Sequence, residues 1–332
     1  MLPLQQAREV RDSVIEYIKA TYRFKEKDVS DAFYRFIEDK NDGLFKGPFV
    51  SLKTPFVSAT EEECANIPLD IIPSFPPYKH QLQAFRQLSM KNGHSPEPTL
   101  LTTGTGSGKT ECFLYPILDY CYHCNQYERQ TGVKVIIMYP MNALASDQAK
   151  RLAETIWNDP RLKNKVTAGL FVGEGIDTKE YPRTMGPDHI IENRVAILDT
   201  VPDILLTNFK MLDYGLMRQK FMSLWKGNID TEQKALRFIV LDELHTYDGA
   251  QGTDVANLIR RLKLKLHIPK GLLCPIGTSA TIGSGSDSKA RLCEYATNVF
   301  SETFLEENVI EEHRIAVDDY VDVVSNGIPD GN

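Results

Sequence analysis

The feature that most constrains this chain is a glycine-rich run, Thr102-Thr103-Gly104-Thr105-Gly106-Ser107-Gly108-Lys109-Thr110, followed later by Asp242-Glu243-Leu244-His245 and then by Ser279-Ala280-Thr281. Triphosphate oxygens need many donors and close approach of the backbone. Gly104, Gly106 and Gly108 admit conformations closed to other residues, so that successive N–H groups can point into a concavity that holds phosphate. The residues before the run, 99–102, read as a short buried strand, and residues 110–122 read as a helix. The loop is therefore expected at a helix N-terminus, where free N–H groups and the macrodipole favour anions. Lys109 is expected to reach the β- and γ-phosphates, and the Thr110 hydroxyl to ligate Mg²⁺. One departure is visible: the strict pattern has Gly five residues before Gly108, and Thr103 stands there.

The acidic pair fits the same chemistry. Residues 235–241 are apolar and rich in β-branched side chains, as a central strand requires. Asp242 and Glu243 follow at its C-terminal end, where open α/β sheets place ligands. Asp242 is expected to hold Mg²⁺ through water, and Glu243 to orient or deprotonate an attacking water. Burying two adjacent carboxylates without partners is costly, so the pair argues for a function beyond ending a strand.

The pattern from about residue 75 onward alternates strand and helix. Strands are expected at 100–102, 133–139, 168–172, 204–207, 238–241 and 274–278. Helices are expected at 142–157, 255–266 and 288–300. Such alternation specifies an α/β fold with a mostly parallel sheet and right-handed crossovers. Residues 173–199 give few signals and are expected as an excursion at the sheet edge. Residues 306–322 read as an acidic tail. Before residue 72 the chain reads as helical, over 4–22 with Val10, Val14, Ile15 and Ile18 on one stripe, and over 29–38. Pro48, Pro55, Pro68, Pro73, Pro76 and Pro77 then punctuate an expected linker.

These motifs, in this order, resemble those of superfamily 2 helicases and translocases, and the neighbourhood Asp242–Asp254 with Met141-Asn142-Ala143-Leu144 resembles the YprA/MrfA-like branch of DExH helicases. The chain is also similar to large bacterial anti-phage defence helicases of the Druantia DruE and DISARM DrmA types. The resemblance spans roughly residues 75 to 315. It implies a RecA-like P-loop NTPase lobe over 73–315, a helical N-terminal region with its linker over 1–72, and an acidic tail or linker to a second RecA-like lobe over 316–332. Tyr78 to Ala84 is similar to the Q motif, which makes Gln81 the candidate for adenine recognition, since an amide can pair bidentately with an adenine edge. Thr103, Gly104, Thr105, Gly106, Ser107, Gly108, Lys109 and Thr110 form motif I. Asp242, Glu243 and His245 belong to motif II, and Ser279 and Thr281 to motif III, which couples hydrolysis to the nucleic-acid side. Asn142, in motif Ia, and Thr207 with Asn208 are the candidate nucleic-acid contacts. The catalytic set implied is Glu243, Asp242 and Lys109, with Thr110 and Asp242 holding Mg²⁺ and ATP as the cofactor. DNA is favoured over RNA as the partner, beside a second lobe in cis or in trans and defence-system subunits. The resemblance implies a bacterial, cytoplasmic protein that hydrolyses nucleotide weakly without its second lobe.

Composition sets the competing classes. The chain has 332 residues, 42% hydrophobic and 25% charged, with a net charge of −7. That is ordinary globular composition, with no apolar run of the roughly 18 residues a membrane span needs and no signal-peptide pattern at the start. The acidic balance argues against a strong nucleic-acid binder standing alone. It suits the alternative of a nucleotide-gated interaction module that binds ATP without unwinding. A small-molecule kinase explains neither the Gln81 region nor the Ser-Ala-Thr triplet. Cys121-Tyr122-His123-Cys124 has no second CxxC or HxxxH partner pair, so a zinc site is not expected.

Overall fold

The computed structural model describes residues 3–39, 42–46, 53–104, 106–128, 130–173, 181–232, 234–279 and 287–320. Thr105, Ala280 and Thr281 lie outside the described residues. The chain divides into two compact units, one running through Pro55 and one starting at Phe56.

The first unit holds α1 (Pro3–Thr21) and α2 (Lys27–Glu38). Lys19 pairs with Glu38, the Tyr34 hydroxyl donates to the Tyr22 carbonyl over 3.0 Å, and the rings of Phe24 and Phe33 meet edge to face. Of the expected apolar stripe, Ile15 is buried, Val14 and Ile18 are half-buried, and Val10 is exposed.

The second unit is a seven-stranded, wholly parallel sheet covered by helices on both faces. Its helices and strands run in chain order α3 (Glu61–Ala65), α4 (Lys79–Leu88), β1 (Thr99–Thr102), α5 (Lys109–His123), β2 (Val135–Met138), α6 (Asn142–Asn158), β3 (Ala168–Phe171), α7 (Arg194–Asp199), β4 (Ile204–Thr207), α8 (Phe209–Met217), α9 (Ser223–Asp230), β5 (Phe238–Leu241), α10 (Gly249–Lys265), β6 (Cys274–Thr278), α11 (Ser288–Phe300) and β7 (Val309–Glu311). Across the sheet the order is β3-β4-β2-β5-β6-β1-β7.

Side chains alternate across a strand, and the central strands β2 and β5 feed two apolar layers. Val135, Ile137, Phe238 and Val240 pack with Phe113, Ile117, Leu152 and Ile156 of α5 and α6. Ile136, Met138, Ile239 and Leu241 pack with Leu212, Val255, Ile259 and Phe300 of α8, α10 and α11. A sheet buried on both faces needs near-continuous apolar strands, which is why β2, β4 and β5 read as Val/Ile/Leu runs.

Two parts of the chain differ from the sequence expectation. Residues 309–311, expected within an acidic tail, form edge strand β7 beside β1, with Ile310 fully buried. The proline-punctuated stretch is built into the second unit from Phe56 onward. There Leu69 and Ile71 are core residues, and the Asp119 carboxylate accepts from the N–H groups of Asp70 and Ile71 at 2.7 and 2.8 Å. At the opposite edge, Ile191 bridges to Gly169 of β3, so residues beyond β3 extend the sheet there. Because every strand points the same way, the segments after β1, β2, β4, β5, β6 and β7 all emerge on one edge of the sheet.

Candidate nucleotide site

At that edge the loop after β1 turns into α5. Gly106 and Gly108 have φ of +80° and +73°, the left-handed region open to glycine. A Cβ on Gly108 would meet Gln81 Nε2 at 2.2 Å, so a side chain here would displace the Gln81 amide from the loop. The loop is braced from beneath: the buried Ser107 hydroxyl donates to Thr103 Oγ1 over 2.7 Å. A glycine at position 103 could not accept that bond, which gives the departure from the strict pattern a structural role. The loop borders a cavity of about 660 Å³ lined by Ser58, Phe75, Pro76, Tyr78, Gln81, Gly104, Gly106, Gly108, Lys109, Thr110, Glu111, Arg151 and Glu243.

The glycine-rich loop, the acidic pair and Ser279 meet at Lys109. Its ammonium donates to the Ser279 carbonyl over 3.0 Å and lies 3.9 Å from Glu243 Oε1. The Thr278 hydroxyl donates to Asp242 Oδ1 over 2.5 Å and accepts from the Glu243 N–H over 3.0 Å. Glu243 stands at φ +50°, a strained conformation for a non-glycine residue. His245 Nδ1 lies 3.4 Å from both Glu243 Oε2 and the Ser279 hydroxyl. Burial pushes the Asp242 carboxyl above its ordinary range, outweighing the hydrogen bond from Thr278 that pulls it down.

Gln81 lies on α4 with both ends of its amide engaged. Its Oε1 accepts from the Tyr78 N–H over 2.9 Å, and its Nε2 donates to the Gly108 carbonyl over 3.1 Å. Beside it, buried His80 donates from Nε2 to the Ser107 carbonyl over 2.8 Å, while its Nδ1 is buried without a partner. Both residues thus strap α4 to the phosphate loop.

The candidate nucleic-acid residues lie farther along the same edge. Asn208 Nδ2 donates to Asn142 Oδ1 over 2.7 Å, and Asn208 Oδ1 caps α8 by accepting from the Met211 N–H. Thr207 is buried as the last residue of β4, with its hydroxyl donating to the Phe171 carbonyl over 2.6 Å, and presents no free side-chain donor at the edge.

Sequence reasoning passed over Arg151, which forms an ion pair with Glu111 at the cavity wall, and Glu312, which accepts from the Gly104 N–H over 2.8 Å. Arg151 belongs to the helix of motif Ia, and that was its available signal. Glu312 had none. A larger cavity of about 790 Å³, lined by Lys91, Asp119, His123, Lys234, Arg237 and Leu272, lies at the other end of the sheet, where residues lead into β5 and β6. The cysteines of Cys121-Tyr-His-Cys124 are buried, and burial pushes the Cys124 thiol up to about 12.

The sequence profile of the DEAD/DEAH box helicase family matches residues 78–288. The chain belongs to that family. Among curated proteins it is similar to the Druantia protein DruE of Escherichia coli strain UMEA 4076-1, at 24% identity over 85% of this chain and 20% of DruE. It is 30% identical to the ATP-dependent helicase YprA of Bacillus subtilis strain 168, over 62% of this chain and 23% of YprA. Among solved structures, the DUF1998 helicase MrfA bound to DNA and AMPPNP superposes with a TM-score of 0.52 at 25% identity, covering 78% of this chain and 30% of MrfA. The DEAD-box helicase Mss116 superposes with a TM-score of 0.50 at 17% identity, over 77% of this chain and 43% of Mss116, which is a likeness of fold. The chain thus spans about a fifth to a quarter of the length of these two curated relatives. Among the described residues, no helix is long and apolar enough to cross a membrane.

Proposed function

We propose that this chain is the first ATP-binding motor lobe of a DNA helicase or translocase of the YprA/MrfA-like branch, acting in bacterial anti-phage defence. The observation that carries the reading is the meeting of Lys109, Glu243 and the Ser279 carbonyl beside the 660 Å³ cavity under the phosphate loop. MrfA has been solved with AMPPNP and with DNA, and the similarity to DruE supports the defence setting.

The donor set fits a magnesium nucleotide. Gly106 leaves open space where a Cβ would stand, the loop sits at the N-terminus of α5, and Asp242 is a carboxyl lifted by burial, which a hard cation would return to its ionised form. Thr110 and Asp242 would hold Mg²⁺, which supplies charge neutralisation at the phosphates when bound. Lys109 would exchange its Ser279 contact for phosphate oxygens. Glu243, held apart from Asp242 by its left-handed backbone, would orient the attacking water. His245 and Ser279 would pass the state of that site to the nucleic-acid edge, where Asn142 and Asn208 already hold each other. Gln81 would read adenine by releasing one end of its amide. A second RecA-like lobe, in cis or in trans, would close the cavity and supply an arginine to the transferring phosphoryl group.

The net charge of −7 favours a second reading, a nucleotide-gated interaction module. Fluorescence anisotropy of labelled single- and double-stranded DNA, with and without Mg²⁺–AMPPNP, separates the two. The motor reading expects affinity that falls steeply with added salt and responds to nucleotide. Absence of DNA binding at low salt in both states contradicts it.

A further inference from the structure

The phosphate loop is gripped at its first limb by a residue that follows the last strand. Glu312 Oε2 accepts from the Gly104 N–H over 2.8 Å, and Glu312 Oε1 accepts from Arg314 Nε over 2.6 Å. Arg314 is held in turn, with its guanidinium 4.0 Å from the centre of the Phe56 ring and its backbone bridged antiparallel to Phe56. The short stretch Phe56–Ser58 is sandwiched: Val57 N–H donates to the His313 carbonyl, the Lys79 N–H donates to the Val57 carbonyl, and Ser58 bridges Tyr78. The rings of Phe56, Tyr78 and His80 lie against one another at 5.1 to 5.6 Å. From this frame His80 and Gln81 reach Ser107 and Gly108. One connected frame therefore holds the loop at Gly104, Ser107 and Gly108.

We propose that Glu312 is a positioning residue for the nucleotide site, holding the first limb of the phosphate loop in its binding shape and tying that shape to the segment that leaves β7. The inference rests on the ATP-site reading above. A bare carboxylate beside a triphosphate would repel it, and Arg314 answers that objection by pairing with Glu312 and leaving its acceptor geometry. Burial alone would raise the Glu312 carboxyl, but the bonds from Arg314 and the Gly104 N–H outweigh burial and hold it below its ordinary range, ionised and fixed. Glu312 does not line the cavity; it meets the loop through the Gly104 N–H, and Gly104 does line it.

The test uses the full 332-residue chain and two readouts: hydrogen exchange over residues 103–110 without nucleotide, and the dissociation constant for Mg²⁺–AMPPNP by titration calorimetry. Glu312→Ala is expected to speed exchange in the loop and weaken AMPPNP binding about three- to tenfold, the size of one lost hydrogen bond. Glu312→Gln keeps an acceptor for Gly104 and is expected to recover most of both. Arg314→Gln frees Glu312 to swing and is expected to change both in the same direction by less, so it carries the test if Glu312→Ala does not fold. Unchanged exchange and affinity in Glu312→Ala overturn the proposal, as does a Gln variant as impaired as the Ala variant. A Lys109→Ala control separates failures: if it too binds AMPPNP normally, the ATP-site reading has fallen, and if it alone loses binding, only the role of Glu312 has.

Discussion

The ammonium of Lys109 donates to the carbonyl oxygen of Ser279 over 3.0 Å. The phosphate loop and the end of β6 are thus tied through one cation while Glu243 waits 3.9 Å away. Lys109 is largely buried and faces acceptors on two sides, an arrangement that a phosphate can enter by replacing a neutral carbonyl with charged oxygens.

Replacing that cation should therefore act on nucleotide binding first. Lys109→Ala is expected to weaken Mg²⁺–AMPPNP about ten- to a hundredfold, since a charge-assisted phosphate contact contributes roughly 1.5–3 kcal/mol. Titration calorimetry on a variant with an unchanged melting curve is the check. An unchanged dissociation constant would remove Lys109 from the site.

Glu243→Gln separates binding from chemistry. The amide keeps the size of the side chain and can keep its left-handed backbone, but it cannot take up a proton. In an assembly that includes the proposed second lobe, binding should change little while hydrolysis falls by at least about a hundredfold. Single-turnover hydrolysis measures this directly, and a rate near wild type would assign the base to another residue.

His80 gives the fold a pH signature. Burial, opposed by its bond to Ser107, keeps its pKa below the ordinary histidine value. The charges around it are Glu312, which favours the imidazolium, and Arg314 and His313, which oppose it. Above a pH of about 6.5 it is neutral folded and unfolded, and contributes no slope. As pH falls below that, the unfolded chain takes up a proton that the folded chain resists, so stability drops until the folded imidazole protonates too. His80→Gln can keep the donor to Ser107 and lacks the titration. Between pH 7 and pH 5.5 the wild-type melting temperature should fall further than that of the variant. Parallel curves would show that His80 does not resist protonation in the folded chain.

Much of this architecture is legible in the residues, for physical reasons. Strands β2, β4 and β5 read correctly because a sheet covered on both faces demands unbroken apolar runs. Lys109, Asp242 and Glu243 stood out because phosphate chemistry fixes residue types at fixed spacings. β7 did not, because Val309 and Ile310 are an apolar pair in an acidic stretch, and their strand state comes from pairing with β1, far away in sequence. Glu312 was hidden for the same reason: its partner is a backbone N–H on another strand's loop, and a main-chain donor leaves no mark in sequence. Leu69 and Ile71 were masked by prolines that punctuate a packed segment. Thr207 was placed correctly at the end of β4, but as a candidate nucleic-acid contact it did not show that its hydroxyl turns inward to the Phe171 carbonyl.

The central claim is that this chain is one lobe of an ATP-driven DNA motor that turns over only when a second lobe closes on it. The most direct test is the steady-state ATP hydrolysis rate of these 332 residues with Mg²⁺, measured with and without DNA. The account predicts a rate far below about 1 per second, with little stimulation by DNA. DNA-stimulated turnover above that rate would contradict it.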